Sequence, residues 1–479
     1  MPATRDMPRP IALRGAGGPS SLRLSGLLGA LGAGLLIALA PQPAAISRLA
    51  QFVLAILAAS VILWATRAIN PAITSILMMG LMIMARIPVP RALSGFADPA
   101  FWTLLAVLFY GFAMTKTGLA ERISYYILAI FPGTYMGILS AFFLIGVLLT
   151  LGIPSMTVRT AIMAPIAWAL VQSLGLAPRS RGAALILLTT VEMAVVPGIA
   201  FLYGSLAGPV VANSFAAKHI NLTWWGYARV TTVPTLLLCG LILFGNQLIL
   251  RPERPINAPS SFARQRLRAI GAFSRSELVT AVVVTLSIAF WITRPLHLPA
   301  FLVGMLALPV FAIFGIVEDG DLAAGVSWQL LLFLGGIFSL ANVLGDYKIT
   351  DWLTGLVLPR VGVLLGAPLL LIFVLALGMF AFRFIDPSSF IAIAVLFQAL
   401  VDITSRAGIP PLVAMASLLL ASVPFWMLYQ NFWVAMSVGL TDDRAFTNGQ
   451  MLRLANGYAV FVLITLGLSE VYWKMIHVL

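Results

Sequence analysis

The chain of 479 residues is 61% apolar and only 9% charged, a balance that excludes an ordinary soluble domain. Its net charge of +13 does not mark a nucleic-acid binder, because many of its arginines fall in two short segments. One is the N-terminal tail with Arg5, Arg9, Arg14 and Arg23, and the other is the central stretch with Arg251, Arg254, Arg264, Arg266, Arg268 and Arg275.

Residues 1–24 read as a basic cytoplasmic tail, since short basic segments stay on the cytoplasmic side. Apolar runs follow, many approaching the ~20 residues that cross a bilayer core. Before the central basic stretch they are Leu27–Ala40, Phe52–Trp64, Met136–Leu151 and Thr235–Leu248. After it come Leu278–Ile292, Phe301–Val317, Leu369–Ala381 and Val460–Leu468. No convincing small-residue cleavage site follows the first run, which reads as a retained helix rather than a signal peptide. The predicted fold is an all-α polytopic membrane protein with about eleven transmembrane helices plus two re-entrant hairpins.

Residues 25–250 are expected to form the first helix and a first transmembrane repeat, and 251–276 a cytoplasmic loop kept partly non-helical by Pro252, Pro255 and Pro259. Residues 277–479 are then a second repeat. With both basic segments inside, an even number of crossings separates them; about six fit before the loop and about five after it. The C-terminus is therefore predicted outside, and two units of opposite orientation make an inverted pair.

The two halves repeat their features in one order. Each has an aromatic, glycine-containing hairpin candidate, FWTLLAVLFYGFAMTKTGL (Phe101–Leu119) and SWQLLLFLGGIFSLANVLGDYKI (Ser327–Ile349). Each continues through an intact helix to a polar break, GIPSMTVRTAIMAPI (Gly152–Ile166) and FRFIDPSSFIAIAV (Phe382–Val395). A second break follows, VPGIAFLYGSLAGPV (Val196–Val210) and VPFWMLYQNFWV (Val423–Val434), and then a final helix. Unwound backbone at membrane depth is tolerated only where protein or a water-filled cavity satisfies its amides and carbonyls. Pro154 can end a helix, with Ser155 and Thr157 supplying caps or ligands; Pro387, Ser388 and Ser389 can do the same in the second half. A single break reads as well as a kinked helix whose hydroxyls bond their own backbone. A matched pair favours a binding site.

Three ionisable residues flank the polar breaks: Arg159, Arg383 and Asp386. Each costs roughly 3 kcal/mol or more near the bilayer centre. Arg159 could snorkel to an interface while Arg383 and Asp386 neutralise one another. Alternatively either guanidinium offers a fixed positive charge and a bidentate fork to an anion. Glu192, just before the second break, could carry a proton or pair with an arginine. Asp402 and Arg406 read as membrane-edge residues, and Glu121, Arg122, Asp346 and Lys348 as helix ends at the water interface. Trp224, Trp225, Trp426 and Trp433 fit an interfacial aromatic belt. Cys239 is the only cysteine, so no intrachain disulfide forms, and His219, His297 and His477 are too scattered for a metal site.

On these residues the chain resembles the divalent anion:sodium symporter family of di- and tricarboxylate and sulfate transporters. KTGLAERI (Lys116–Ile123), SWQLLLFLGGIF, VPGIAFLYGS and NLTWWGYARVTTVPTLLL carry the resemblance, which covers nearly all of the chain after the first helix. It implies an elevator-type carrier built on a dimerising scaffold, with Gly198 and Gly204 beside an ion site. The family's Ser-Asn-Thr triplet, which binds sodium and substrate carboxylate, is Ser155-Met156-Thr157 in the first half and Pro387-Ser388-Ser389 in the second. The Pro-Pro-Asn that usually follows the glycine stretch is Leu206-Ala207-Gly208 here, while Asn431 stands in the matching place of the second half.

The expectation is thus a non-enzymatic secondary transporter of small divalent anions in the plasma membrane, working as a homodimer. No cofactor is expected, and sodium is the coupling ion that the resemblance implies. Loss of the triplet asparagine at Met156 points away from sodium, toward exchange or proton coupling. A cation/proton antiporter of the same fold, a same-fold carrier of another organic anion, a passive channel and an intramembrane enzyme are the alternatives; the enzyme lacks the acidic or histidine-rich cluster such chemistry needs.

Overall fold

Apolar sequence at this density can satisfy its own backbone inside a bilayer by coiling into helices. The computed structural model describes residues 20–257, 261–293, 298–352, 355–356, 367–384, 401, 403–405 and 408–479, and no strand occurs among them. The principal helices before the central basic stretch are α1 (Ser20–Leu39), α2 (Arg48–Thr66), α3 (Pro71–Met84), α4 (Pro99–Lys116), α5 (Leu119–Ile130), α6 (Tyr135–Gly152), α7 (Met156–Ser173), α8 (Arg181–Val195), α9 (Ala207–Ala216) and α10 (Trp224–Ile249). A basic helix, α11 (Ser261–Ile270), follows. Then come α12 (Arg275–Thr293), α13 (Ala300–Ile313), α14 (Trp328–Asp346), α15 (Pro368–Phe382), α16 (Pro411–Leu420), α17 (Phe432–Leu440) and α18 (Asn448–Met475). Eight helical segments among the described residues are long and apolar enough to cross a membrane, and five shorter apolar ones accompany them.

Their starts follow from the sequence. Ser47, Asn70, Asp98, Thr134, Ser180, Thr223 and Ser327 each accept a main-chain N–H at a helix N-terminus, and Pro71 and Pro99 sit where a missing N–H costs nothing. Thr447 and Gln450 form a reciprocal capping box on α18.

Packing crosses between the halves in a reciprocal way. α3 of the first half lies along α14 of the second, and α13 of the second lies along α4 of the first. The last helices of the two halves, α10 and α18, pack on each other. At the centre runs α8, mostly apolar and buried from Gly182 to Val195, with α6 and α7 against it.

Two expectations change here. The stretches predicted as hairpins are each one unbroken helix, α4 and α14. Their glycines serve close packing: a Cβ on Gly336 would lie 2.6 Å from Ser75 Cβ of α3, and one on Gly111 3.2 Å from Ile153. Arg122 is not at a water interface either. It is buried, forks onto Glu277 at 2.7 and 3.0 Å, and donates to the carbonyls of Gly271 and Ala272. This fastens the end of the basic stretch to α5. Its beginning is fastened to α8, where the Glu253 carboxylate accepts from the N–H groups of Arg181 and Gly182 at 2.7 and 3.1 Å. Partial burial would raise the Glu253 carboxyl, but these donors and the Arg181 side chain hold it below the usual range.

The contact between α6 and α8 is close enough to test. A Cβ on Gly146 would sit 2.0 Å from the Met193 carbonyl oxygen, whereas one on Gly80 would meet nothing within 4 Å. Overpacking of this kind costs about 1–3 kcal/mol. Gly146→Ala is therefore expected to lower the thermal unfolding midpoint in detergent by several degrees, while Gly80→Ala leaves it level or raises it. Equal midpoints would remove the close approach of α6 to α8.

Candidate functional site

The first polar break interrupts the chain at Ile153-Pro154-Ser155, between α6 and α7. Ser155 is the N-cap of α7, its Oγ accepting the Val158 N–H at 3.3 Å, and Arg159 lies one turn into that helix. The second break follows α8: a single 3-10 turn, Val196–Ile199, then irregular chain to the start of α9 at Ala207. Interrupting a helix at this depth orphans main-chain carbonyls, and each needs a donor.

Arg159 supplies most of the donors. Its guanidinium is fully buried, with Nε donating to the Ala194 carbonyl at 2.6 Å and Nη1 to those of Gly204 (2.8 Å) and Ile153. Nη2 approaches the Val195 carbonyl at 3.5 Å. One side chain thus joins both breaks of the first half. The glycines make room for it: a Cβ on Gly198 would fall 2.6 Å from Arg159 Nη2, and one on Gly204 would fall 2.6 Å from Thr150 and 2.9 Å from the Gly198 carbonyl. The remaining carbonyls are answered from α10. Tyr227 donates to Ile199 at 3.0 Å, and Thr231 and Thr232 donate to Ala200 at 2.9 and 3.0 Å.

The second half repeats the device. Arg383 caps the end of α15, is buried, and donates through Nη2 to the Gln430 carbonyl and to Asn431 Oδ1 at 3.0 Å. Gln430 and Asn431 belong to the break between α16 and α17, and Asn431 Nδ2 donates in turn to the Pro424 carbonyl. Each half therefore carries an arginine from near its first break into the backbone of its second. Helix α17, which directly follows Asn431, packs along α7, so the two clamped regions belong to one body of helices.

The arginines differ from expectation. Arg159 reaches no interface, and its fork is spent on main-chain carbonyls rather than held open. Among the described residues no carboxylate lies within ion-pair distance of it, and its hydrogen bonds go to main-chain carbonyls alone. Asp386, the partner expected for Arg383, lies outside the described residues, as do Pro387, Ser388, Ser389, Asp402, Arg406 and His297. Thr157 does not join the buried cluster but is exposed, and Met156 is half-buried. On the same face of α7, Ala161 and Pro165 border a cavity of about 410 Å³ that also reaches Thr115, Glu121 and Arg266. Glu192 pairs with Asn246, not with an arginine. Trp224 and Trp433 are buried, whereas Trp225 is exposed and stacks on Trp224.

Sequence reasoning missed Gln430 and the α10 hydroxyls. Tyr227 and Thr231 are one helical turn apart, a spacing that could have marked a polar stripe facing the break.

Residues 22–479 match the family model described as the sodium:sulfate symporter transmembrane region. The chain is 26% identical to the chloroplastic dicarboxylate transporter 1 of Arabidopsis thaliana, over 98% of this chain and 85% of that protein. It is 24% identical to the chloroplastic dicarboxylate transporter 1 of Spinacia oleracea, over 94% of this chain and 81% of that one. In structure it is similar to the YdaH transporter of Alcanivorax borkumensis, with a TM-score of 0.58 at 13% identity, covering 96% and 98% of the two chains.

The clamp predicts that shape matters as well as charge. A lysine is a point charge and cannot span carbonyls as far apart as Ile153 and Ala194. Each lost charge-assisted hydrogen bond is worth about 1.5–3 kcal/mol. Arg159→Lys and Gly198→Ala are expected to loosen the helices around the breaks. The sole cysteine, Cys239, is buried, so its labelling by a small thiol reagent reports that loosening, with a rise of at least about tenfold expected. Wild-type labelling rates in both variants would show that the guanidinium does not hold the breaks.

Proposed function

The chain belongs to the sodium:sulfate symporter transmembrane family, and we propose that it carries small divalent anions, dicarboxylates foremost and sulfate next, across the plasma membrane by exchange. The observation that carries this reading is Arg159, a fully buried guanidinium in a cage of main-chain carbonyls with no carboxylate beside it among the described residues. A carbonyl cage of this kind suits a monovalent cation, and here the cation is part of the chain. The relatives named as dicarboxylate transporters support the choice of substrate class.

The charge has a consequence for turnover. Sodium can leave an empty carrier and remove its own charge. Arg159 cannot leave. Moving the empty binding region through the bilayer would carry an unbalanced buried charge, which is strongly disfavoured. A bound anion offsets it, and with a dianion the remaining negative charge falls to the second buried guanidinium, Arg383. The loaded form therefore crosses and the empty form does not, so uptake of one anion requires release of another. Residues Ser155, Met156 and Thr157 at the start of α7, with Asn431 across the packed α17, are the proposed lining of the anion site, together with Ser388 and Ser389. Arg266 at the cavity beside α7 is placed to draw an anion in from the basic side of the molecule, which we take as cytoplasmic, with the C-terminus opposite.

The test is counterflow in proteoliposomes with labelled succinate, malate and sulfate. Vesicles preloaded with the same unlabelled anion should show a transient overshoot, and vesicles without internal anion little uptake. Replacing sodium by choline should change the rate by less than about twofold, since no stabilising ion is removed. Steep sodium dependence, or equal uptake into empty vesicles, would overturn the exchange reading. Arg159→Gln should abolish counterflow.

A further inference from the structure

Glu192 has no part in the clamp, yet it lies on α8 within a fully buried apolar span and is 1% exposed. Its one hydrogen-bond partner among the described residues is Asn246 of α10, whose Nδ2 donates to Glu192 Oε2 and to Thr189 Oγ1. The second oxygen of each group, Glu192 Oε1 and Asn246 Oδ1, is buried without a donor among the described residues. As carboxylate and amide, these two acceptors have nothing to exchange. With a proton on Oε1 they do: the acid O–H donates to Oδ1 while Nδ2 donates to Oε2, closing a two-bond ring between an acid and a primary amide. A bare carboxylate at this depth would instead be an unpaired charge in the membrane core.

We propose that Glu192 and Asn246 form a proton-binding site, in which Glu192 is a carboxylic acid paired with the Asn246 amide, and that this proton is linked to anion binding through Arg159. The linkage rests on the anion-carrier reading; the proton site does not. Arg159 holds the carbonyl of Ala194, two residues beyond Glu192 and so on roughly the opposite side of α8. Among the described residues, Cys239 from α10 and Tyr458 from α18 are titratable groups within electrostatic reach of Glu192, and Tyr458 also feels Arg383. Among the helices against α8, α6 contributes only Tyr135, at the far end beside Gly182, and α17 has no ionisable residue.

With the proton on, Glu192 is neutral and the anion alone balances Arg159. Release breaks the Oε1–H bond and hands the proton to water, leaving a carboxylate on the side of α8 roughly opposite the carbonyl that Arg159 holds. That negative charge answers part of the positive one, and the anion is held less tightly. At an effective dielectric of about 20 the effect is roughly tenfold in affinity. By reciprocity the bound anion tightens proton binding by the same factor.

Infrared difference spectra of the purified full chain, wild type against Glu192→Gln, test the site without any substrate. A carboxylic acid C=O band present near neutral pH should vanish in Glu192→Gln. It should move to higher frequency in Asn246→Leu, where its hydrogen bond is lost, and this second variant decides the matter if the first does not fold. No band lost and none shifted overturns the proton site. Sulfate and succinate binding to the solubilised protein then test the linkage. Affinity should fall roughly tenfold from about pH 6 to about pH 9 in the wild type and stay tight in Glu192→Gln. A pH-independent wild-type affinity overturns the linkage, whereas binding of neither anion counts against the carrier reading and leaves the infrared result standing by itself.

Discussion

Everything in this molecule depends on a requirement of the backbone: a helix interrupted inside a bilayer must find donors for the carbonyls it frees. The first half frees those of Ile153, Ala194, Val195, Ile199, Ala200 and Gly204, and each is answered by a side chain. Arg159 takes four of them from three separate points of the chain. Because five N–H groups leave a guanidinium in one plane, a single arginine can do what would otherwise need several hydroxyls or an ion. Placing it there obliges glycine at 198 and brings the polar stripe of α10 against the break. Arg383 with Gln430 and Asn431 solves the same problem in the second half with fewer described partners.

A solution to a backbone problem has become an electrostatic property. The cage holds positive charge permanently and in a low-dielectric setting, where a unit charge acts over longer distances than in water. In the proposed carrier, negative substrates are drawn to such a centre and positive ones repelled, so selectivity for sign precedes any contact with a specific anion. The exposed Thr157 and the cavity beside Arg266 lie along α7, the helix that carries Arg159.

Much of the architecture is written in the amino-acid order. Helix count, the breaks at Pro154 and Gly198, and the doubling of features in the two halves all follow from hydropathy, Pro and Gly, because those properties act locally. The partners of the charged residues do not. Main-chain carbonyls carry no sequence signature, so nothing in the chain announces that Arg159 will bond residues 35 and 45 positions away. The same blindness placed Arg122 at a surface, although Glu277 meets it from 155 residues on. Glycine misled in the other direction. In α4 and α14 it allows helices to touch without breaking them, and composition alone cannot separate a glycine that turns from one that packs.

The basic stretch between the halves is attached at both ends, to α8 through Glu253 and to α5 through Arg122 and Glu277. Arg254 adds a second anchor at the start, donating to the carbonyls of Leu174 and Gly175 at the end of α7. The stretch is therefore a strap rather than a slack linker, and one of its buckles sits on the helices that carry the breaks while the other sits on a neighbouring helix. Any sliding of α7 and α8 past α5 must be taken up within the residues between the buckles. The reach of that short piece of chain, part of it already coiled as α11, sets a mechanical limit on how far the two groups of helices can travel apart.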